Sequence, residues 1–546
     1  MPPGERLKEL HALDARVLPA NVTGVAVTGE RPEGRSIQDM PVELLLEIFR
    51  IHATHCKNTS SRTAWLGILL VCSDWYRVAC DASELWRVIH VGSNIDWLRL
   101  CLKRSARSLV DLHFSGLPTA TIDAAVPLVI PHTQRVRAIH LTGHGQLSPH
   151  IYHLFAHLLP ALEELSVLPA EWRSQREAQL VPWAQGYDAM RSLALSGVSI
   201  PRQPAFYHNL RSLELHECCC IASGFTIDDL VLALNAAAST LEELDLSRFD
   251  PEIPVHPQTL TPQLPDVHLK RLRGLYMDEH FAVVSRLCKH LTLPPDAFLH
   301  LRIYVTHADQ LRYANGAAVL ADIVPPGVCH VLESITDMAV TIGREAYSIR
   351  ARNIPLKPVP PSFSSDGAPI DRVVVDTLGW KPDRLPGLRG ILRVYTAGLL
   401  TSLSITLEGT EYPAAEWRSL FVALRLLEKL AIADRSHLNP TNAFNALSAP
   451  TGDPGSRHTE HSATTSSQSM LCPSLRALRL EGLVQRYEME RVFDALGRAL
   501  RLRAVSGRRL EELLVDPGFR ASGDTRVELE QRLDALKPLV GALILR

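Results

Sequence analysis

The chain has 546 residues, 46% of them hydrophobic, so a large core is within reach, and 57 basic against 59 acidic residues leave a net charge of −2. That balance favours neither nucleic acid nor an anionic membrane as a partner. The ten cysteines lack regular spacing, and Cys218, Cys219 and Cys220 are adjacent, which suits a reducing compartment better than a disulfide framework.

Met1–Val17 is polar and charged, without the apolar stretch of a secretory signal. The longest charge-free apolar run, Val394–Leu407, is too short to span a bilayer. A soluble protein of the cytoplasm and/or nucleus is expected, with no membrane partner. Residues 1–36 are expected to form a polar tether, with a short helix from Gly4 to Val17.

A helix is predicted to begin at Pro41, whose missing N–H costs nothing in a first turn; Glu43 lies near the positive end of its dipole. Leu44, Leu45, Leu46, Ile48, Phe49 and Ile51 sweep roughly 220° of that helix, against the roughly 100° of an ordinary surface helix. One face can pack on its own domain. The rest needs another surface, either a larger core or a partner. Trp65–Ala79 reads as a second helix, and Ser83–Ile89 as a short turn into a strand.

These stretches resemble an F-box, whose usual pattern is a Leu-Pro-x-Glu-Leu-Leu-x-x-Ile-Phe helix, a Val-Cys-x-x-Trp helix and a closing Leu-Trp. The matching positions are Pro41, Leu44, Leu45, Ile48, Phe49, Val71, Cys72, Trp75 and Trp86. Met40 stands where the family often has Leu, and His52–Thr63 lengthens the first connection. The resemblance covers 37–91. It implies that these residues build the domain's core and its docking surface for a Skp-family adaptor, which links to a cullin-based ubiquitin ligase (the SCF type). Which of them face inward is left open by the sequence. A unit of about 50 residues buries little surface alone, so a wide apolar arc suits an obligate partner.

Beyond the F-box one motif recurs: Leu-x-x-Leu-x-Leu/Ile/Val. The strict form begins at Leu162, Leu210, Leu241, Leu400, Leu427, Leu475 and Leu510; looser forms begin at Leu109, Val136, Met190, Leu272, Phe298, Ile335 and Ile370. From Leu109 to Phe298 the starts follow one another at about 20 to 31 residues, close to the roughly 20–29 of a leucine-rich repeat. Helix-like runs such as Ile151–Leu159 and Ile227–Ala238 lie between them. Cys218 after Leu215 fits the repeat's usual Asn or Cys position; Phe249 after Leu246 does not. The pattern resembles the irregular leucine-rich repeats found behind many fungal F-boxes. An unrelated α/β domain is the alternative.

The expected fold class is therefore α/β: an N-terminal helical F-box, then a leucine-rich-repeat-like solenoid over 92–546. Loops are expected near 250–266 and 352–369, and a disordered insert at 435–469, where Ser, Thr, Gly, Pro and His dominate. Thr525–Lys537 reads as a charged helix suited to capping the open end of the solenoid.

No phosphate loop, H-E-x-x-H, G-x-S-x-G or C-x-x-C pair occurs in the sequence. His150, His153 and His157 have a spacing that suits a metal, but also an exposed helix face. His216 lies beside the cysteine cluster, yet neighbours on a strand point in different directions. No enzyme activity, metal or cofactor is expected. The expected role is that of a substrate-recognition subunit, with an SCF-type adaptor and cullin and an unknown protein substrate as partners; a non-degradative scaffold is the alternative. Residues flanking the inward leucines would point onto the solenoid's concave sheet. These include Glu214, Asp245, Tyr276, Arg302 and Tyr304 as substrate-binding candidates, with His140, His216, Arg479 and Glu481 also on that face.

Overall fold

The computed structural model describes residues 40–57, 64–143, 149–168, 187–218, 224–249, 264–312, 320, 322, 331–332, 335–352, 371–380, 386–394, 399–408, 411–434, 440–448, 470–482, 489–517 and 523–545. The tether at 1–36 lies outside these residues, as does most of both expected loops. The chain divides into two compact units, Met1–Ser223 and Gly224–Arg546.

The first unit opens with α1 (Val42–Lys57), a 3-10 helix (Ala64–Leu70), α2 (Ser73–Asp81) and a 3-10 turn (Ser83–Trp86). The single helix expected over Trp65–Ala79 is thus two. Cys72 is the reason: its backbone is extended, with φ −160° and ψ 170°, and its Sγ accepts the Trp75 N–H at 3.5 Å, capping α2. There follow β1 (Val88–Val91), α3 (Ile95–Arg104), β2 (Val110–Ser115), α4 (Thr119–Val129), β3 (Val136–Thr142), α5 (Pro149–Ala156), β4 (Glu164–Leu168), β5 (Ser192–Ser196) and β6 (Ser212–His216). β1 to β6 pair in chain order, all parallel. Ile89, Leu112, Ile139, Leu165, Leu193 and Leu213 stand in direct register and are buried, so one aliphatic row runs under the sheet.

The second unit contains α6 (Ile227–Ala237), β7 (Glu243–Ser247), β8 (Val267–His268), β9 (Gly274–His280), α7 (Phe281–Cys288), β10 (Leu291–Thr292), β11 (Phe298–Tyr304), α8 (His307–Arg312), β12 (Asp337–Ile342), β13 (Ala346–Arg352) and β14 (Val373–Leu378). It continues with α9 (Gly387–Val394), β15 (Ser402–Leu407), α10 (Ala414–Ala423), β16 (Lys429–Asp434), α11 (Thr441–Leu447), β17 (Ala477–Glu481), α12 (Met489–Val505), β18 (Leu510–Asp516), α13 (Gly523–Leu536) and β19 (Val540–Leu545). The spatial order is β7-β9-β11-β14-β13-β12-β15-β16-β17-β18-β19. Every pair is parallel except β14–β13 and β13–β12. β13 alternates polar and apolar residues but lacks the six-residue motif, so the sequence reading passed over it.

Each strict and loose motif start from Leu109 onward leads into a strand. The insert expected at 435–469 holds a packed helix: Ala443, Phe444, Ala446 and Leu447 of α11 are buried, and α11 packs against α10 and α12. Composition misled there because a helix of seven residues lies in a polar stretch, of which 435–439 and 449–469 lie outside the residues described. α13 matches the expected charged helix, but β19 follows it and pairs with β18, so the sheet runs one strand beyond the expected cap.

Arg503 on α12 is 1% exposed. Its guanidinium donates to the carbonyls of Leu471 at 3.3 Å, Cys472 at 3.1 Å and Leu475 at 2.9 Å, the turn that leads into β17. Arg503→Ala strands those buried carbonyls and is expected to cost about 3 kcal/mol, read as a lowered urea midpoint. Exposed Arg491→Ala on the same helix is expected to change stability by less than about 0.5 kcal/mol. Equal effects would contradict the clamp.

Candidate docking and binding faces

α1 carries two apolar stripes. Leu45, Phe49 and Ala53 recur at every fourth residue and are buried. Leu44, Ile48 and Ile51 form a second stripe, and together with Leu70 and Val71 they are 44% to 65% exposed. Leu70 ends the 3-10 helix that packs against α1. The sequence candidates therefore separate. Leu45, Phe49 and Trp86 are core; Pro41, Leu44, Ile48 and Val71 face solvent; Cys72 and Trp75 are half-buried. Trp75 stacks edge-on against Phe49 at 5.0 Å. Trp86 packs on Trp65 at 5.3 Å and on Trp97 of α3 at 5.8 Å, and its indole N–H donates to the Ala79 carbonyl at 2.8 Å. Trp86 thereby ties the helical domain to the first strand-and-helix turn. Arg50 bridges Glu47 at 3.3 Å and Glu84 at the edge of the exposed stripe.

On the sheet face of the first unit, His90, His113 and His140 stand in register on β1, β2 and β3. Their rings lie 4.8 Å and 4.3 Å apart, the second pair stacked. Asp111 binds Arg137 at 2.7 Å and Arg87 at 3.3 Å, and Arg137 reaches Glu164 at 3.2 Å. Burial lowers the pKa of His140; Glu164 and Asp111 oppose that shift, and Arg137 adds to it. Glu214 also lies in this unit, 3.9 Å from His216. The sequence reading set it beside Tyr276; the structure puts the two in different units.

In the second unit Asp245, Tyr276 and His300 are in register on β7, β9 and β11, as are Asp278, Arg302 and Asp376 on β9, β11 and β14. Tyr276 meets His300 edge-on at 4.8 Å, and the Arg302 guanidinium lies 6.0 Å from the Tyr304 ring. Arg302 Nε is 4.0 Å from Asp278 Oδ1. Burial raises the pKa of Tyr276, helped by Asp278 and Asp245, and raises that of Tyr304, helped by Asp278. Burial lowers the pKa of His300, against the pull of Asp376. The structure places Asp245, Tyr276, Arg302 and Tyr304 on neighbouring strands, with Asp278, His300 and Asp376, which the sequence reading did not name, in register among them. The signal was available: β9 and β11 are seven residues long, so alternation past the motif's last aliphatic residue exposes further side chains on the same face. Arg479 and Glu481 pair with each other on β17. His153 and His157 are exposed, and the side chain of His150 lies outside those described.

The F-box-like family model matches residues 37–91, the segment that carries the exposed stripe. The chain is an F-box domain-containing protein. A solved structure, "Crystal structure of Rad7 and Elc1 complex in yeast", is similar over 72% of this chain and 88% of that chain, at 10% identity and a TM-score of 0.28; a likeness that weak carries nothing further. No curated protein matches the sequence significantly.

His140 and His300 both have pKa values depressed below the usual value near 6.5. Each favours the neutral ring in the folded state, so its contribution to stability is present above that pH and is lost as the pH falls through the depressed value. The melting temperature is expected to drop from about pH 7.5 to about pH 5.5, and to drop less in a His140→Gln/His300→Gln variant. An unchanged pH slope in that variant would contradict the assignment.

Proposed function

We propose that this protein is the substrate-recognition subunit of an SCF-type ubiquitin ligase. Its F-box docks a Skp-family adaptor through Leu44, Ile48, Ile51, Leu70 and Val71. Its strands form a leucine-rich-repeat-like solenoid whose exposed sheet face holds a protein substrate. It acts in the cytoplasm and/or nucleus and contributes no catalytic residue; the bond to ubiquitin is made by the conjugating enzyme that the cullin brings. The observation that carries this reading is the exposed stripe on α1, set apart from the core stripe of the same helix within the matched F-box segment. Exposed apolar stripes of this kind mark surfaces that meet a partner.

Burying a Leu or Ile side chain contributes roughly 1.5–3 kcal/mol. A Leu44→Asp/Ile48→Asp variant is therefore expected to fold normally and to lose adaptor affinity by on the order of a hundredfold or more. Leu45→Asp is expected to lose binding only because a buried carboxylate unfolds the domain. Full adaptor capture by a folded Leu44→Asp/Ile48→Asp variant would overturn the docking face. Affinity purification with and without a proteasome inhibitor then separates the roles. A captured protein that accumulates on inhibition supports the receptor; partners indifferent to inhibition favour a non-degradative scaffold.

A further inference from the structure

The second unit's sheet face contains a carboxylate that its own chain leaves incomplete. The Asp278 side chain is 10% exposed, and its Oδ1 accepts no hydrogen bond. Buried carboxylate oxygens are nearly always satisfied. Arg302, the cation in register with it, stands 4.0 Å away, beyond hydrogen-bond reach, and is itself 48% exposed. Its guanidinium lies instead 6.0 Å from the Tyr304 ring, and Asp376 stands in register with Arg302 on the next strand. Tyr276, two residues before Asp278 on the same strand face, and Tyr304, which hydrogen-bonds to the Asp278 carboxylate, bound the position with aromatic rings. Tyr276 feels Asp245, Asp278 and Arg302, whereas Tyr304 feels Asp278, Arg302 and Arg248, so acid outweighs base on the Tyr276 side of the position. Aromatic faces beside a desolvated carboxylate attract a cation and reject an anion.

The geometry points to a seat for a lysine or arginine side chain of a protein partner, formed by Asp278 between Tyr276 and Tyr304. This rests on the partner-binding reading of the same face. Asp278 Oδ1 is covered in the free chain, so the incoming ammonium or guanidinium donates to it only once Arg302 has moved aside, and then lies against the tyrosine rings. Arg302 swings toward Asp376.

The test uses the full chain labelled with 3-fluorotyrosine, its Tyr276 and Tyr304 fluorine resonances assigned with Tyr→Phe variants. Blocked Gly-Lys-Gly and Gly-Arg-Gly tripeptides are titrated, with Gly-norleucine-Gly and Gly-Glu-Gly as controls. Both resonances are expected to shift saturably with the cationic peptides alone. Asp278→Asn, nearly isosteric, is expected to weaken that response about tenfold or more. Tyr276→Leu leaves the carboxylate in place and is expected to weaken it severalfold, which keeps the test open should Asp278→Asn not fold. No shift, an equal shift with the norleucine peptide, or an unaltered titration in the variants would overturn the seat and leave Asp278 satisfied by water. If the peptides bind as expected but Asp278→Asn retains every protein partner of the parent chain, the cation seat stands and the partner-binding reading of this face falls.

Discussion

Register is the constraint on which the molecule depends. In the second unit Leu246, Met277, Leu301, Val375, Ile349, Val340, Ile405, Ile432, Leu480, Val515 and Leu545 stand side by side from the first strand of the sheet to the last. A slip of one residue at any strand would turn its buried side chains to solvent and its polar ones into the core. Ile349 matters most. β13 runs antiparallel to both neighbours, yet Ile349 holds the row between Val375 and Val340. The change of direction therefore costs no burial.

The same register assembles the opposite face. Once the aliphatic rows are fixed, alternation lines up Asp245, Tyr276 and His300 on one level and Asp278, Arg302 and Asp376 on the next. In the first unit it lines up His90, His113 and His140. Each face is thus a by-product of core packing, and its chemistry depends on which residues occupy the alternate positions.

How far the sequence discloses this follows from the period of the signal. Parallel strands carrying Leu-x-x-Leu-x-Leu were legible because the buried positions recur at fixed offsets. β13 was not, since its apolar residues Tyr347, Ile349 and Ala351 fit no such motif. α11 was not, since Phe444 and Leu447 are anchors in an otherwise polar stretch. For the F-box, residue identity was legible and orientation was not. Leu44 and Leu45 are adjacent on one helix, and only the packing of α1 shows that the first is outside and the second inside. Asp278 escaped notice because its role comes from Arg302 and Tyr304 on a strand more than twenty residues away in sequence, a relation set by pairing alone.

The helical domain carries an apolar stripe of fixed chemistry, and the sheet of the second unit a polar face of mixed charge. Amide hydrogen exchange on the full chain, with and without a purified Skp-family adaptor, tests that division directly. Protection is expected to rise over α1 and over Ala64–Asp81 and to stay unchanged across the sheet of the second unit. Unchanged exchange in those helices at saturating adaptor, or new protection across β7 to β19 instead, would contradict it.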